Sequence, residues 1–152
     1  MVTARRELKM TTIKCFFIAN EVDPDAQLDD YRPYFEEYSA EVWGVVPGEA
    51  AFLYETNRGL ESALFILDNG TGSFSVRLDV CGFRKSFYSV GSIDTMGDFI
   101  DAGDDQFAPV GSFVAPAVAW MAVEDFFASP LECSPRLTWM DTEDMKWPAS
   151  LE

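Results

Sequence analysis

Five aspartates, Asp94, Asp98, Asp101, Asp104 and Asp105, fall between Gly91 and Phe107, and no basic residue interrupts them. Side chains of this type can ligate calcium, share a proton in acid–base chemistry, or offer negative charge to a cationic partner. A calcium loop needs oxygens at alternating positions, a turn glycine and a closing glutamate. The run Asp101-Ala102-Gly103-Asp104-Asp105-Gln106 lacks that spacing, so no metal is expected. The chain has no histidine. That removes the commonest general base, the Ser-His and Cys-His nucleophile pairs, and the commonest metal ligand.

Other chemistry-bearing residues are equally sparse. Cys15, Cys81 and Cys133 are odd in number and far apart, with no CxxC, so reduced and mostly buried thiols are expected. Gly70-Thr71-Gly72 is too short for a phosphate loop, and no Lys-Ser/Thr follows it. Ser73, Ser86 and Ser89 have no base partner, and Lys85 beside Arg84 reads as a solvent-facing pair on a strand. No catalytic residue and no cofactor is therefore assigned.

Charge is the strongest global signal. The 152 residues carry a net charge of −15. Residues 1–14 hold Arg5, Arg6, Lys9 and Lys14 against Glu7, which leaves 7 basic and 25 acidic residues, a balance of −18, over the rest. Such a domain repels nucleic acid and attracts basic proteins, the more so at low salt. With 48% hydrophobic and 14% aromatic residues it can still bury a core. No apolar run approaches the roughly 20 residues of a bilayer span. Ile13 to Ala19 is too short and too broken for a signal peptide. The expected address is the cytoplasm, with no membrane partner.

The elements that position these residues read as follows. Residues 1–12 form an N-terminal arm, 13–141 one domain, and 142–152 an acidic tail. Ile13 to Val22 reads as a strand. Asp23-Pro24-Asp25 opens a helix carrying Leu28, Tyr31, Phe35 and Tyr38 at helical spacing, with Pro33 expected to kink or restart it. Val42 to Gly48 reads as extended. Ala51–Thr56, Ser62–Leu67, Phe74–Val80 and Phe83–Val90 read as an antiparallel meander, with Asn69-Gly70 as a hairpin signal. Phe74, Val76, Leu78 and Val80 alternate with Ser75, Arg77 and Asp79, predicting one wet face. Gly91 to Phe107 reads as a surface loop with one helical turn near Thr95 to Ile100. Ala115 or Ser112 opens a second helix, with Pro116 in its first turn, whose face holds Ala119, Ala122, Val123, Phe126 and Phe127, with Trp120 at its edge. Arg136 to Met140 reads as a last strand. The order predicts an α+β fold: an antiparallel sheet of about five to six strands with two main helices packed on it.

A family comes into view along the C-terminal third. Phe107-Ala108-Pro109-Val110-Gly111-Ser112, Val114-Ala115-Pro116, the alanine-rich helix to Phe127, and Pro135-Arg136-Leu137-Thr138-Trp139 resemble the closing signature of the deaminase-inhibitor family of bacterial polymorphic-toxin immunity proteins. Leu64 to Ser92, ending in Tyr88-Ser89-Val90-Gly91, is similar to its middle. The approach to the last strand, Ser129 to Pro135, departs from the family's Gly-Arg-Pro-like pattern. The resemblance implies a stoichiometric, non-enzymatic inhibitor of a cognate secreted toxin, often a nucleic-acid deaminase. Pro116, Phe126, Pro135 and Trp139 match the signature as fold determinants.

Joined to the charge, the resemblance implies that an acidic surface occludes a basic substrate groove. Asp98, Asp101, Asp104 and Asp105 are the first-choice toxin-binding residues. Glu36, Glu37 and Glu41 come second, with Trp43 as a candidate exposed anchor. A monomer is expected. The competing readings are an acidic cytosolic protein-binding or regulatory module with an unrelated partner, and a histidine-free carboxylate enzyme.

Overall fold

A computed structural model describes residues 12–17, 21–43, 49–80, 82, 84–101 and 107–145. The arm 1–11, the segment 102–106 and the tail beyond 145 lie outside the described residues, as do Cys81 and Trp147. The fold is α+β. Strands β1 (Thr12–Phe17), β2 (Glu21–Asp23), β3 (Glu49–Thr56), β4 (Gly59–Asp68), β5 (Phe74–Val80), β6 (Lys85–Ser89), β9 (Phe113–Val114) and β10 (Trp139–Asp141) make one eight-stranded antiparallel sheet. Its order is β10-β6-β5-β4-β3-β1-β2, and β9 pairs with one end of β5. The expected meander is present as β3-β4-β5-β6. Strands β7 (Phe99–Asp101) and β8 (Phe107–Pro109) form a separate two-stranded ribbon. The helices are α1 (Leu28–Glu36), the single turn α2 (Ala40–Trp43) and α3 (Pro116–Ala128).

One sheet face is the core. Cys15, Ala50, Phe52, Leu64, Ile66, Phe74, Val76 and Leu78 all project from it and are buried. The three helices cover them. Phe35 stacks at 5.4 Å from Phe74, Trp43 and Trp120 alike, and Phe52 meets Tyr31 edge-on at 5.3 Å. Edge-to-face and tilted pairs at such distances add to what area burial already contributes. In α3, Pro116 occupies the first turn, where its missing N–H costs nothing, and Ala119, Ala122, Val123 and Phe126 are buried as their spacing predicts.

Several boundaries differ from the sequence reading. The Ile13–Val22 run is a hairpin, because β3 offers partners only as far as Ala50, opposite Phe17, and the chain then returns with Val22 opposite Phe16. Helix α1 begins at Leu28; Asp23 instead accepts from the Asp25 amide and the Tyr31 hydroxyl. Pro33 neither ends nor restarts α1: it sits on the exposed side, while Tyr31 and Phe35 anchor the turns around it. Of the piece 42–48 expected to be extended, Val42 and Trp43 belong to the helical turn α2, and 44–48 lie outside the described residues. The last strand begins at Trp139. Arg136 lies before it and ties the chain to α3 through Asp125 at 2.9 Å and Glu124 at 3.1 Å.

The largest difference concerns the face expected to be wet. Ser75 and Asp79 are buried; over Ser75 the chain that leaves the sheet after β6 comes back as β9, which pairs Phe113 with Ser75. Alternation reports two chemically different faces; it does not report which of them meets water. The return is fixed by hydroxyls. Ser89 Oγ accepts from the Val76 amide at 3.1 Å and donates to the Ser112 carbonyl at 2.7 Å. Ser112 Oγ donates to the Pro109 carbonyl at 2.6 Å, so the 2.6 Å contact between Ser75 and Ser112 has Ser75 as its donor. All three serines are buried. Gly111 accepts from the Gly91 and Ser92 amides at 2.7 and 2.9 Å. A Cβ at Gly111 would overlap the Ser92 carbonyl oxygen, and one at Gly91 the Phe113 carbonyl oxygen.

Replacing Ser89 by Ala strands a buried amide and removes a donor from a buried carbonyl. A loss of about 1–3 kcal/mol in unfolding free energy is expected in urea titrations. The Arg136 strap has a pH signature. The Arg136 guanidinium, helped by the Ser134 hydroxyl, holds Asp125 below the usual carboxylate range. A depressed carboxylate stabilises the fold fully above its unfolded value and loses that contribution as pH falls through the folded value. The stability gap between wild type and Arg136→Met should therefore be constant near neutrality and shrink below about pH 4, as followed by thermal unfolding across pH.

Candidate functional site

The acidic segment is a built projection. Its chain leaves β6 through Gly91, makes a 3-10 turn at Ile93–Thr95, runs along β7, and returns along β8 to Gly111. Beneath it Met96, Tyr88 and Met145 are buried together, with Val90, Phe99 and Met140 packed around them. The expected helical turn thus lies earlier than predicted, and what read as a solvated loop has a small core of its own. Patterning missed this because the buried positions, Met96, Phe99 and Ala108, are too few and too irregularly spaced to produce a period.

The outside of the projection combines two chemistries. Asp94 and Asp98 are exposed and have no ion-pair partner among the described residues. Asp98 is joined to the returning strand through its carbonyl, which accepts from the Val110 amide at 2.6 Å. Asp101 pairs with Phe107 in the ribbon, and Asp104 and Asp105 lie outside the described residues. Three aliphatic side chains stand exposed among these carboxylates: Ile93 at 60%, Ile100 at 45% and Val110 at 41%. Sequence reading found the carboxylates and missed the aliphatics, because an Ile or Val near a strand is read as core until burial is known.

The second-choice set lies elsewhere. Glu36, Glu37 and Glu41 are exposed on α1 and α2, in the helical layer. The projection lies over the other face of the sheet, where Ala108 meets Phe65, Arg77 and Tyr88. The two acidic sets are thus on opposite sides of the sheet, and the fold does not bring them together. Near Glu37 a shallow hollow is lined by Pro33, Tyr34, Ser39, Val42 and Trp43. Trp43 is its floor and not an exposed anchor: the side chain is fully buried, its ring 4.7 Å from that of Phe74, and its Nε1 donates to the Tyr34 carbonyl at 2.9 Å. The anchor reading is corrected. The α2 turn rotates the indole inward, and sequence could not show this once Val42 to Gly48 was read as extended.

Cations are almost all spent locally. Lys14, Arg32, Arg58, Arg77, Lys85 and Arg136 each pair with a carboxylate; Arg84 alone among the described cations does not. The net negative charge is therefore expressed in unpaired surface carboxylates.

Nucleophilic chemistry finds little support. Burial pushes the Cys15 thiol up to about 12 and the Cys133 thiol to about 11, so neither is a ready thiolate. Two carboxyls, Glu49 and Asp68, titrate above the usual range because burial penalises their charge. They lie on opposite faces of the sheet: Glu49 pairs with Leu67 on the outer face, and Asp68 accepts from Tyr38 under the helices. They cannot act as a facing pair. Among the described residues no helix is long and apolar enough to cross a membrane, and no group of three His, Cys, Asp or Glu side chains is placed to hold a metal ion.

Compared with known proteins, the chain matches no family model, no curated protein and no solved structure.

The corrected role of Trp43 has a measurable consequence. Trp43→Ala should cost about 3–5 kcal/mol in chemical unfolding. Glu37→Gln with Glu41→Gln, being exposed, should shift stability by less than about 0.5 kcal/mol.

Proposed function

We propose that this protein is an immunity-type inhibitor that neutralises a cognate secreted toxin by covering a basic substrate groove. The expected toxin chemistry, from the family resemblance, is nucleic-acid deamination. An enzyme of that kind must grip a phosphate backbone and admit a base, so its groove carries cations. A partner that presents carboxylates there competes with the polynucleotide without needing any reaction of its own.

One observation carries the reading: among the described residues of the acidic segment, aliphatic side chains stand exposed beside the uncompensated carboxylates of Asp94 and Asp98. A solvated loop that served only solubility would have no reason to expose Ile93, Ile100 and Val110. Protein interfaces have this composition, with apolar anchors surrounded by polar groups. Carboxylates at the rim steer encounter and set salt dependence, while the anchors set the lifetime of the complex. Asp98 and Asp101 remain the favoured contacts on this reading. Glu36, Glu37 and Glu41, across the sheet, become the control surface.

The test is to co-express the chain with the product of the adjacent gene and measure binding by calorimetry at several salt concentrations. A one-to-one complex that weakens with salt is expected. Ile93→Ser with Val110→Ser should weaken it about tenfold or more, equivalent to about 1–2 kcal/mol. Asp94→Asn with Asp98→Asn should flatten the salt dependence, mainly by slowing association. Glu37→Gln with Glu41→Gln should change neither. A complex untouched by both projection variants, or an adjacent product that does not bind, overturns the proposal.

A further inference from the structure

Beside the projection, the outer face of the sheet carries a small cleft of about 60 Å³ lined by Glu49, Phe65, Leu67, Ser75, Arg77, Tyr88 and Ala108. Its position follows from register. Phe65 stands opposite Arg77, and Arg77 opposite Tyr88, so three adjacent strands place these side chains in one row. Glu49 and Ser75 reach the same face on either side of Leu67. Ala108, from β8, closes one wall and joins the cleft to the acidic projection.

The charges here do not cancel. Arg77 lies 3.2 Å from Asp79, which is nine-tenths buried, and its guanidinium carbon sits 4.5 Å above the Phe65 ring. Asp79, the Phe65 ring and the Tyr88 hydroxyl hold the arginine, which also attracts the Glu49 carboxylate without forming an ion pair with it. The Arg77–Asp79 contact is poorly aligned, leaving Arg77 Nε and Asp79 Oδ1 buried without a well-formed hydrogen bond. Glu49 is half-buried and has neither ion pair nor hydrogen bond among the described residues. The set Glu49, Asp79 and Arg77 carries one net negative charge in a partly dry, aromatic-walled space. A half-buried carboxylate without a donor is costly, and a cationic donor entering the cleft would relieve that cost.

We infer that this cleft is a receptor for one arginine side chain of the basic partner. The inference rests on the docking reading above and names the group the outer face takes. Size, shape and charge agree on it. A water-sized group needs about 10–15 Å³, so the cleft holds about four heavy atoms, the number in a guanidinium. A guanidinium is planar, stacks on aromatic faces and meets a carboxylate through two parallel N–H bonds. Phe65 and Tyr88 line the cleft with aromatic surface beside Arg77, and Glu49 supplies the carboxylate. The ammonium of lysine is more strongly hydrated and does not stack, so it is the poorer occupant.

The experiment uses the isolated chain and a defined probe, N-acetyl-arginine amide, followed by NMR of backbone amides. Saturable shifts are expected at Phe65, Ser75, Arg77 and Tyr88. The neutral isostere N-acetyl-citrulline amide should give none, and the lysine analogue should bind at least threefold more weakly. Glu49→Gln, a substitution at a half-exposed position, should weaken the arginine probe tenfold or more, while Glu37→Gln on the opposite side should not. Phe65→Leu, which keeps volume and removes the stacking face, should weaken it severalfold. The absence of saturable shifts, equal binding of citrulline or lysine, or indifference to Glu49→Gln overturns the inference. The two proposals fail separately. A silent probe with an intact, projection-dependent toxin complex removes only the arginine site. A binding probe with no toxin complex removes only the immunity function.

Discussion

Three buried hydroxyls, Ser75, Ser89 and Ser112, decide what the rest of this molecule can present. An excursion of more than twenty residues leaves a sheet and must return to one strand at one register. Backbone pairing does little of this work, since β9 contributes only two rungs to β5. The serines supply the rest by linking β5, the end of β6 and the returning chain through a single ordered set of donors and acceptors. Every proton in that set has a defined place. Such networks specify geometry strongly because each alternative leaves a buried group unpaired. The glycines at 91 and 111 serve the same end: two backbones approach so closely at the base of the projection that any side chain would force them apart.

Much of the fold was legible because its signals are local. The Asn69-Gly70 turn, where Asn69 Oδ1 accepts from the Thr71 and Ser73 amides, and the proline at the start of α3 act within a few residues. The four-strand meander followed from them. What was missed depends on distant partners. Nothing within residues 74–80 tells that Ser75 will be covered by chain arriving some forty residues later. Nothing around Trp43 says that its neighbour across the core is Phe74. The ten residues from Ile13 to Val22, seven of them apolar, could be one strand or a hairpin, and the length of β3 settled it. The candidate site divides along the same line: its carboxylates were visible as composition, while its exposed aliphatics and the Glu49 cleft exist only once burial and register are known.

The two sides of the sheet answer to different demands. The helical side is filled with aromatic rings, with a shallow hollow beside Trp43, as close packing requires. The outer side is half finished. Phe16 and Val22 are paired with each other on it and both remain exposed, and next to them in register come Ala51, Phe65 and Arg77. The projection covers only the end nearer β6. A protein selected for stability alone would extend that cover, or replace Arg77 and Asp79 with apolar residues, since a buried ion pair commonly returns less than its desolvation costs.

That unfinished face is best understood through what a negative molecule does with its few cations. Six of the described basic side chains are committed to carboxylates close by, and five of those six lie where solvent screens them, so they contribute little stability. Arg77 differs in its partners: it is stacked on an aromatic ring and matched to a buried aspartate. This placement keeps one positive charge in the cleft, where it attracts Glu49 without forming an ion pair with it. The carboxylate stays hungry for a donor while the arginine below keeps it from being wholly uncompensated. A cleft balanced in this way holds its shape when empty and gains when a second guanidinium arrives. The acidic projection at its edge raises the local concentration of basic groups that could supply one.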